Sequence, residues 1–224
     1  MNPITERDRR FAAMLDALPR QFAALPRSEG CVRLDGDWRI VLASEEPRAR
    51  CGAASLAAFL RQYCGLSLPS EVGAGGGAQE IRLRWTGTEG EGFSLTITPD
   101  GIDVVGDSPA GALYGAHRLQ WLMGEHGGAF LPVGTFRLDP AGKERITSTP
   151  FHQGFDDAGD PLTYTEGYLD LMAHYGFNGL HMYIDLFDYI TELPEAPGMV
   201  DVEAPGRIAR LAALARRAAP YNVG

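Results

Sequence analysis

The stretch that most constrains the fold of this chain is residues 93–123, where a hairpin pattern runs directly into a helix pattern. Apolar and polar residues alternate strictly over 93–98, which is the period of a strand with one buried face. Pro99 and Gly101 then supply turn chemistry, because proline fixes φ and glycine tolerates a positive φ. The apolar face resumes over 102–105, so the two runs predict a β-hairpin.

A helix over 108–123 follows the hairpin, and cap residues stand before a proline that fits its first turn. A strand over 79–86 and a helix over 48–65 precede the hairpin. The predicted buried stripe of the earlier helix consists of Leu56, Phe59, Leu60 and Tyr63. Together these elements predict a two-layer α+β sandwich, an antiparallel-rich sheet with helices on one face.

A glycine-rich loop lies at 69–77, between the first helix and the strand at 79–86. Backbone amides in such loops can cradle phosphate. This loop lacks the Lys-Ser/Thr pair of a P-loop and the glycine spacing of a dinucleotide turn. We therefore expect a flexible connector here.

The 93–123 stretch resembles the small α+β domain that precedes the catalytic barrel in glycoside hydrolase family 20, the β-hexosaminidases. The residues that carry the resemblance are Asp100-Gly101-Ile102, Ala110-Gly111, Tyr114-Gly115 and Leu119. The likeness extends more loosely from about Cys31 to Phe136 and then into the start of a barrel. It implies an accessory domain that supports a carbohydrate-active enzyme.

Three segments are predicted along the chain. Residues 1–30 form an N-terminal helical segment, 31–140 the accessory α+β domain, and 146–224 the first two βα units of a TIM-barrel domain. The predicted order of the last segment is a strand at 151–155, a helix at 162–175, a strand at 178–184 and a helix at 207–219. Pro140-Ala141-Gly142 marks the boundary.

A complete (β/α)₈ barrel takes about 250 residues, and those after Pro150 suffice for only two βα units. The barrel cannot close within this sequence. We expect either that the chain is a truncated part of a longer enzyme or that a partner subunit supplies the missing strands.

The resemblance also implies where a sugar would bind, at the carboxyl ends of the barrel strands. The family's Arg-Gly pair at the first strand is Gln153-Gly154 here, and its second histidine on the next strand is Tyr183. No position matches the family's catalytic Asp-Glu pair. The candidate substrate-binding residues are Gln153, Asp156, Asp157, His181, Tyr183 and Asp185.

Carboxylates beside aromatic rings suit carbohydrate, because they bond hydroxyls while a ring face stacks on the pyranose. An alternative is that Asp156 and Asp157 merely begin a loop and cap the next helix.

Composition excludes several classes. The net charge of −9 argues against a nucleic-acid partner and against an anionic membrane surface. Three cysteines without CxxC spacing predict reduced, buried thiols rather than a disulfide frame or a zinc site. No HExxH motif is present, and we expect no metal and no cofactor. The charged N-terminus has no signal-peptide core, so the expected location is cytoplasmic.

Three functions stay open from sequence. The first is the N-terminal portion of a hexosaminidase-like glycoside hydrolase whose substrate is carbohydrate, the chain itself being inactive. The second is a non-catalytic carbohydrate-binding or scaffolding module. The third is a stand-alone α/β protein with only architectural likeness.

Overall fold

A computed structural model describes residues 30–148, 164–182, 189–192 and 202–224. These residues fall into two compact units that divide between Lys143 and Glu144. Most of the predicted N-terminal segment 1–30 and the strand predicted at 151–155 lie outside the described residues. The boundary predicted at 140–148 stays a prediction.

The first unit contains eight described strands and two helices. The strands are β1 (Cys31–Arg33), β2 (Arg39–Leu42), β3 (Ser70–Val72), β4 (Glu80–Trp85), β5 (Phe93–Thr98), β6 (Gly101–Gly106), β7 (Phe130–Pro132) and β8 (Gly134–Leu138). The helices are α1 (Pro47–Cys64) and α2 (Pro109–Glu125). The hairpin and the helix predicted from 93–123 are therefore present.

Six of these strands form one sheet in the order β3-β2-β4-β6-β5-β8, while β1 and β7 pair separately. The β5–β6 and β5–β8 pairs are antiparallel, but β2–β3, β2–β4 and β4–β6 are parallel. The sheet is therefore mixed, and the prediction that it is antiparallel-rich is wrong. The cause is connectivity: α1 separates β2 from β3 and β4, and β6 turns back from β5 to lie beside β4.

The register of the sheet places four isoleucines in one row across four strands. Ile40 faces Ile81, Ile81 faces Ile102, and Ile102 faces Ile97. Each is at most 1% exposed. Both helices pack on this face, so the predicted arrangement of helices on one side is confirmed for the main sheet.

Two glycines explain how closely α2 approaches the sheet. A Cβ atom at Gly111 would stand 2.3 Å from the carbonyl oxygen of Gly92, and one at Gly115 would stand 2.4 Å from Val104 Cγ1. Any side chain at either position would push the helix away. The glycines that carry the family resemblance are thus contact residues of the core.

Helix α1 packs against the same sheet and against α2. Leu56, Phe59 and Leu60 are buried as predicted, but Tyr63 is 39% exposed. Tyr63 lies in the last turn of α1 and contacts Phe59 with ring centroids 5.0 Å apart. Its inclusion in the buried stripe was wrong, because the helix ends one residue later at Cys64.

A buried carboxylate holds the glycine-rich loop. Glu80 is 1% exposed and accepts a hydrogen bond of 2.8 Å from the N–H of Gly76. Its other oxygen contacts the Arg39 guanidinium, and Arg82 lies 3.7 Å away. The Arg39 hydrogen bond, followed by that of Gly76, lowers the pKa of Glu80 below its ordinary value. The loop is thus anchored, which corrects its prediction as a flexible connector.

The second unit has the order strand, helix, strand, helix: β9 (Ile146–Ser148), α3 (Glu166–His174), β10 (Gly179–His181) and α4 (Ala204–Ala218). The two strands are parallel neighbours. Its apolar cluster contains buried residues from both helices and from the end of the chain. Its members are Tyr164, Tyr168, Leu169, Met172, Leu214, Ala218 and Val223. Among the described helices of both units, none is long and apolar enough to span a membrane.

We expect Tyr114→Ala to lower the free energy of unfolding by about 3 kcal/mol or more. Tyr114 is 6% exposed and belongs to the core of the first unit, so its truncation leaves a cavity. Tyr175→Ala is the control, since Tyr175 is 51% exposed. Denaturant unfolding measures both, and a loss below about 1 kcal/mol for Tyr114→Ala would contradict its place in the core.

Replacing Glu80 by Gln should lower the free energy of unfolding at neutral pH by about 1–3 kcal/mol, because a buried charge-assisted hydrogen bond is lost. The pKa of Glu80 is depressed in the folded chain, so its contribution is present above the unfolded pKa of about 4.3 and disappears as pH falls through the folded pKa.

The difference in the free energy of unfolding between wild type and Glu80→Gln should therefore disappear in acid. Glu71→Gln is the matched control, because Glu71 also pairs with Arg39 but its side chain is 59% exposed. Urea unfolding over a pH series measures this difference. A difference that does not change with pH, or an equal loss of stability in Glu71→Gln, would contradict the role of Glu80 in holding the loop.

Candidate functional site

The candidate site begins where the two parallel strands of the second unit end. Gly179 pairs with Ile146, and His181 pairs with Ser148, so both strands finish at the same edge. Loops at the carboxyl ends of parallel strands are where α/β folds place ligands. His181 is the last residue of β10, and it is exposed at this edge.

Of the six substrate-binding residues predicted from sequence, the structure describes only His181. Gln153, Asp156 and Asp157 follow β9 in the chain, and Tyr183 and Asp185 follow β10. These five lie outside the described residues. Their role as sugar ligands stays a prediction.

Asn178 sets the position of β10 relative to β9. Its side-chain Oδ1 accepts a hydrogen bond of 2.7 Å from the Arg145 N–H, and its own N–H donates to the Arg145 carbonyl at 2.9 Å. The Arg145 side chain also bonds the carbonyl of Gly176. Gly176 has φ of +78°, which lets the chain leave α3 and enter β10. Asn178 therefore fixes the strand that carries His181.

Helix α3, between the two strands in sequence, has a capped N-terminus. The Thr165 hydroxyl accepts the N–H of Tyr168 at 3.2 Å. Tyr164 and Tyr168 are buried with ring centroids 6.1 Å apart. Burial, followed by the proximity of Tyr164, raises the pKa of Tyr168 to about 12. Tyr168 is consequently a neutral packing group at physiological pH.

A cleft of about 380 Å³ lies beside β10. It is lined by Ile146, Gly179, Leu180, His181, Met182, Leu211 and Gly224. The backbone of Gly224 pairs with β10 as a parallel strand would. Its N–H donates to Asn178 O at 3.1 Å, and its carbonyl accepts the Leu180 N–H at 3.0 Å. The described part of the cleft is mainly apolar, with His181 as its titratable side chain.

A second cleft, of about 370 Å³, lies in the first unit between the end of α1 and the turn that leads into β7. Its lining residues are Arg33, Leu34, Tyr63, Cys64, Leu66, Gly127, Gly128, Ala129 and Phe130. Sequence reasoning missed it because its walls come from β1, α1 and the 126–130 turn, which no motif connects.

Within the described ranges, no group of three or more His, Cys, Asp or Glu side chains could hold a metal ion. Cys31, Cys51 and Cys64 are in no disulfide, and each is half-buried rather than buried as predicted. Burial raises the pKa of the Cys64 thiol. Among the described lining residues, Arg33 is the charged side chain of the first-unit cleft, and His181 is the histidine of the cleft beside β10.

Comparisons with known proteins agree with this architecture. The profile described as "Glycosyl hydrolase family 20, domain 2" matches residues 19–137, more than half of the chain. The matched residues correspond to the second domain of that family. The chain belongs to glycosyl hydrolase family 20 through this domain.

The individual relatives are longer proteins. A lacto-N-biosidase of Bifidobacterium bifidum is 29% identical over 133 residues, which cover 55% of this chain and 12% of that protein. The structure of a GH20 β-N-acetylhexosaminidase from Streptomyces coelicolor A3(2) aligns with 93% of this chain and 45% of its own, with a TM-score of 0.58 and 21% identity.

A GH138 enzyme that targets pectin rhamnogalacturonan II aligns with 83% of this chain and 30% of its own, with a TM-score of 0.64 and 16% identity. The chain thus spans less than half the length of each of these relatives. At these identities the structural likenesses show the fold, a mixed α+β architecture with a sheet and four described helices.

Asn178→Ala should loosen β10 without unfolding the first unit. Removing Oδ1 leaves the Arg145 N–H without its acceptor, which costs about 1–3 kcal/mol when the group is shielded from water. Amide hydrogen exchange at Leu180 should accelerate, while exchange at Ile102 in β6 serves as the internal control. Unchanged protection at Leu180 would show that Asn178 does not position the strand.

Proposed function

We propose that this chain is the N-terminal portion of a carbohydrate-active glycoside hydrolase of the hexosaminidase type, which hydrolyses O-glycosyl bonds. The family match to residues 19–137 supports the enzyme class. The observation that carries the second half of the proposal is the parallel β9–β10 pair with α3 between its strands. Strand, helix and parallel strand is the repeating unit of a (β/α)₈ barrel.

In this proposal the second unit supplies the first two βα units of an incomplete barrel. The backbone pairing of Gly224 with β10 supports a third parallel strand at that edge. The remaining strands would come from further residues of a longer protein or from a partner subunit. The cytoplasmic location expected from sequence likewise stays a prediction.

Sugar recognition is proposed for the loops at the shared edge of β9 and β10. His181 offers an imidazole that donates or accepts a hydrogen bond. The five further residues that we assign to the same site are Gln153, Asp156, Asp157, Tyr183 and Asp185. Gln153 stands where the family has arginine, so it bonds hydroxyls without a charge-assisted fork. The sugar that fits this site should therefore differ from one held by an arginine clamp.

We further propose that the 224 residues alone do not turn over a glycoside. Protonation of the leaving oxygen by a positioned acid contributes about 10²–10⁴-fold to the rate. No residue here matches the family's acid pair. A site walled by two βα units also leaves the reacting sugar open to water, which weakens the electrostatic stabilisation of an oxocarbenium-like state.

The test is a panel of nitrophenyl glycosides that includes N-acetylglucosaminide and glucuronide. We expect the chain and its Asp156→Asn/Asp157→Asn/Asp185→Asn variant to hydrolyse all of them at the same background rate. Turnover by the chain well above that variant would mean that the carboxylates in these loops suffice for catalysis, contrary to the proposal.

A matched control removes the same number of carboxylates elsewhere. Asp37, Glu89 and Asp100 are exposed in the first unit, so Asp37→Asn/Glu89→Gln/Asp100→Asn changes the net charge equally. If the chain does show turnover and this control loses as much of it as the loop variant, the loss reports net charge rather than the site.

A further inference from the structure

We propose that the cleft of the first unit, between the last turn of α1 and the 126–130 turn, is a binding site for a pyranose sugar. It lies among residues 33–130, in a different compact unit from His181. The inference goes beyond the proposed function, because it assigns a binding activity to the accessory domain itself.

The cleft has both aromatic and polar lining residues, which suit the C–H face and the hydroxyl groups of a pyranose. Tyr63, which is 39% exposed, and Phe130, which is half-buried, are the aromatic residues among those that line the cleft. The C–H face of a sugar packs on such rings, while its hydroxyls need polar partners at the rim. Tyr63 and Arg33 line the same cleft, and their side chains carry the kinds of polar group that such hydroxyls require.

Arg33 and Arg61 differ from the other described arginines of this unit, which form ion pairs. Arg39, Arg82 and Arg137 each bind a carboxylate. Arg33 has no ion pair with any residue in the described part of the chain. Its planar fork of N–H donors suits a pair of neighbouring hydroxyl groups or a uronate carboxylate. In a chain of net charge −9, a cation in a cleft that also has two aromatic lining residues favours an electron-rich ligand.

The frame of the cleft is held by backbone hydrogen bonds. The Leu34 N–H donates to Ala129 O at 2.9 Å, and the Leu66 N–H donates to Leu60 O at 3.0 Å. Gly127 and Gly128 make the turn with φ of +69° and +156°, which other residues rarely adopt. The antiparallel pairing of β1 with β7 joins Arg33 directly to Phe130. A preformed frame lowers the ordering cost of binding a small ligand.

The cleft also has the size for one sugar ring. Its volume of about 370 Å³ lies within the range of about 300–1,000 Å³ that is usual for small-molecule sites. A single sugar ring that stacks on one aromatic side chain should bind weakly, so the test must detect millimolar affinity.

The experiment is saturation-transfer NMR on the full 224-residue chain with methyl N-acetylglucosaminide, methyl galactoside and glucuronate as probes. We expect transfer to the ring protons of at least one probe. Tyr63→Ala and Arg33→Ala should each weaken binding by about three- to tenfold, which corresponds to about 0.7–1.4 kcal/mol. Both residues are exposed, so neither change should unfold the domain.

Two matched variants serve as controls. Arg61→Ala removes an exposed arginine from the same helical turn as Tyr63 but outside the cleft, and Tyr175→Ala removes an exposed tyrosine from the other unit. Both should bind as the wild type does. Absence of transfer to every probe, or equal affinity in Tyr63→Ala and wild type, overturns the proposal.

A second measurement does not depend on NMR. Cys64 lines the cleft, whereas Cys51 does not. A bound sugar should slow the alkylation of Cys64 by iodoacetamide about twofold or more at saturating ligand and leave Cys51 unchanged, as read by peptide mass spectrometry. Equal rates with and without sugar would contradict occupancy of the cleft. Because this readout needs no turnover, it can fail or succeed independently of the proposed hydrolase function.

Discussion

The row of four isoleucines across β2, β4, β6 and β5 is the contact on which the first unit depends. A strand that slipped by one residue would turn its isoleucine to the opposite face, where Arg82 and Asp103 lie. The row therefore fixes the register of the sheet, and the register decides which residues face α1 and α2. Gly111 and Gly115 then let α2 approach closely, because neither has a side chain that would push the helix away.

Local elements could be predicted from the sequence because their signals are short-range. Alternation over 93–98 and the turn at Gly101 specify the hairpin, and the pattern after Pro109 specifies α2. The direction of β4 could not be predicted in the same way. Its parallel neighbours β2 and β6 are reached through long connections, and alternation within one strand carries no information about strand direction.

The same distinction applies to the candidate sites. His181 could be predicted because it matches the first histidine of the family pattern on this strand, and the parallel register shows that β10 and β9 end together. The role of Glu80 in holding the loop could not be predicted from the glycines before it. A glycine-rich sequence is the same whether its backbone is hydrogen-bonded to a side chain or exposed to solvent. The cleft near Arg33 and Phe130 depends on the antiparallel pairing of β1 with β7, nearly a hundred residues apart in sequence.

The two outer strands of the main sheet have different chemical characters. Strand β3 is three residues long and carries the charged Glu71, which discourages pairing with another chain. Strand β8 is longer and leaves Phe136 and Leu138 about two-fifths exposed on the core side. Self-association of a domain expressed by itself should start at β8, so a lysine introduced at Phe136 is the natural first change for improving its solubility.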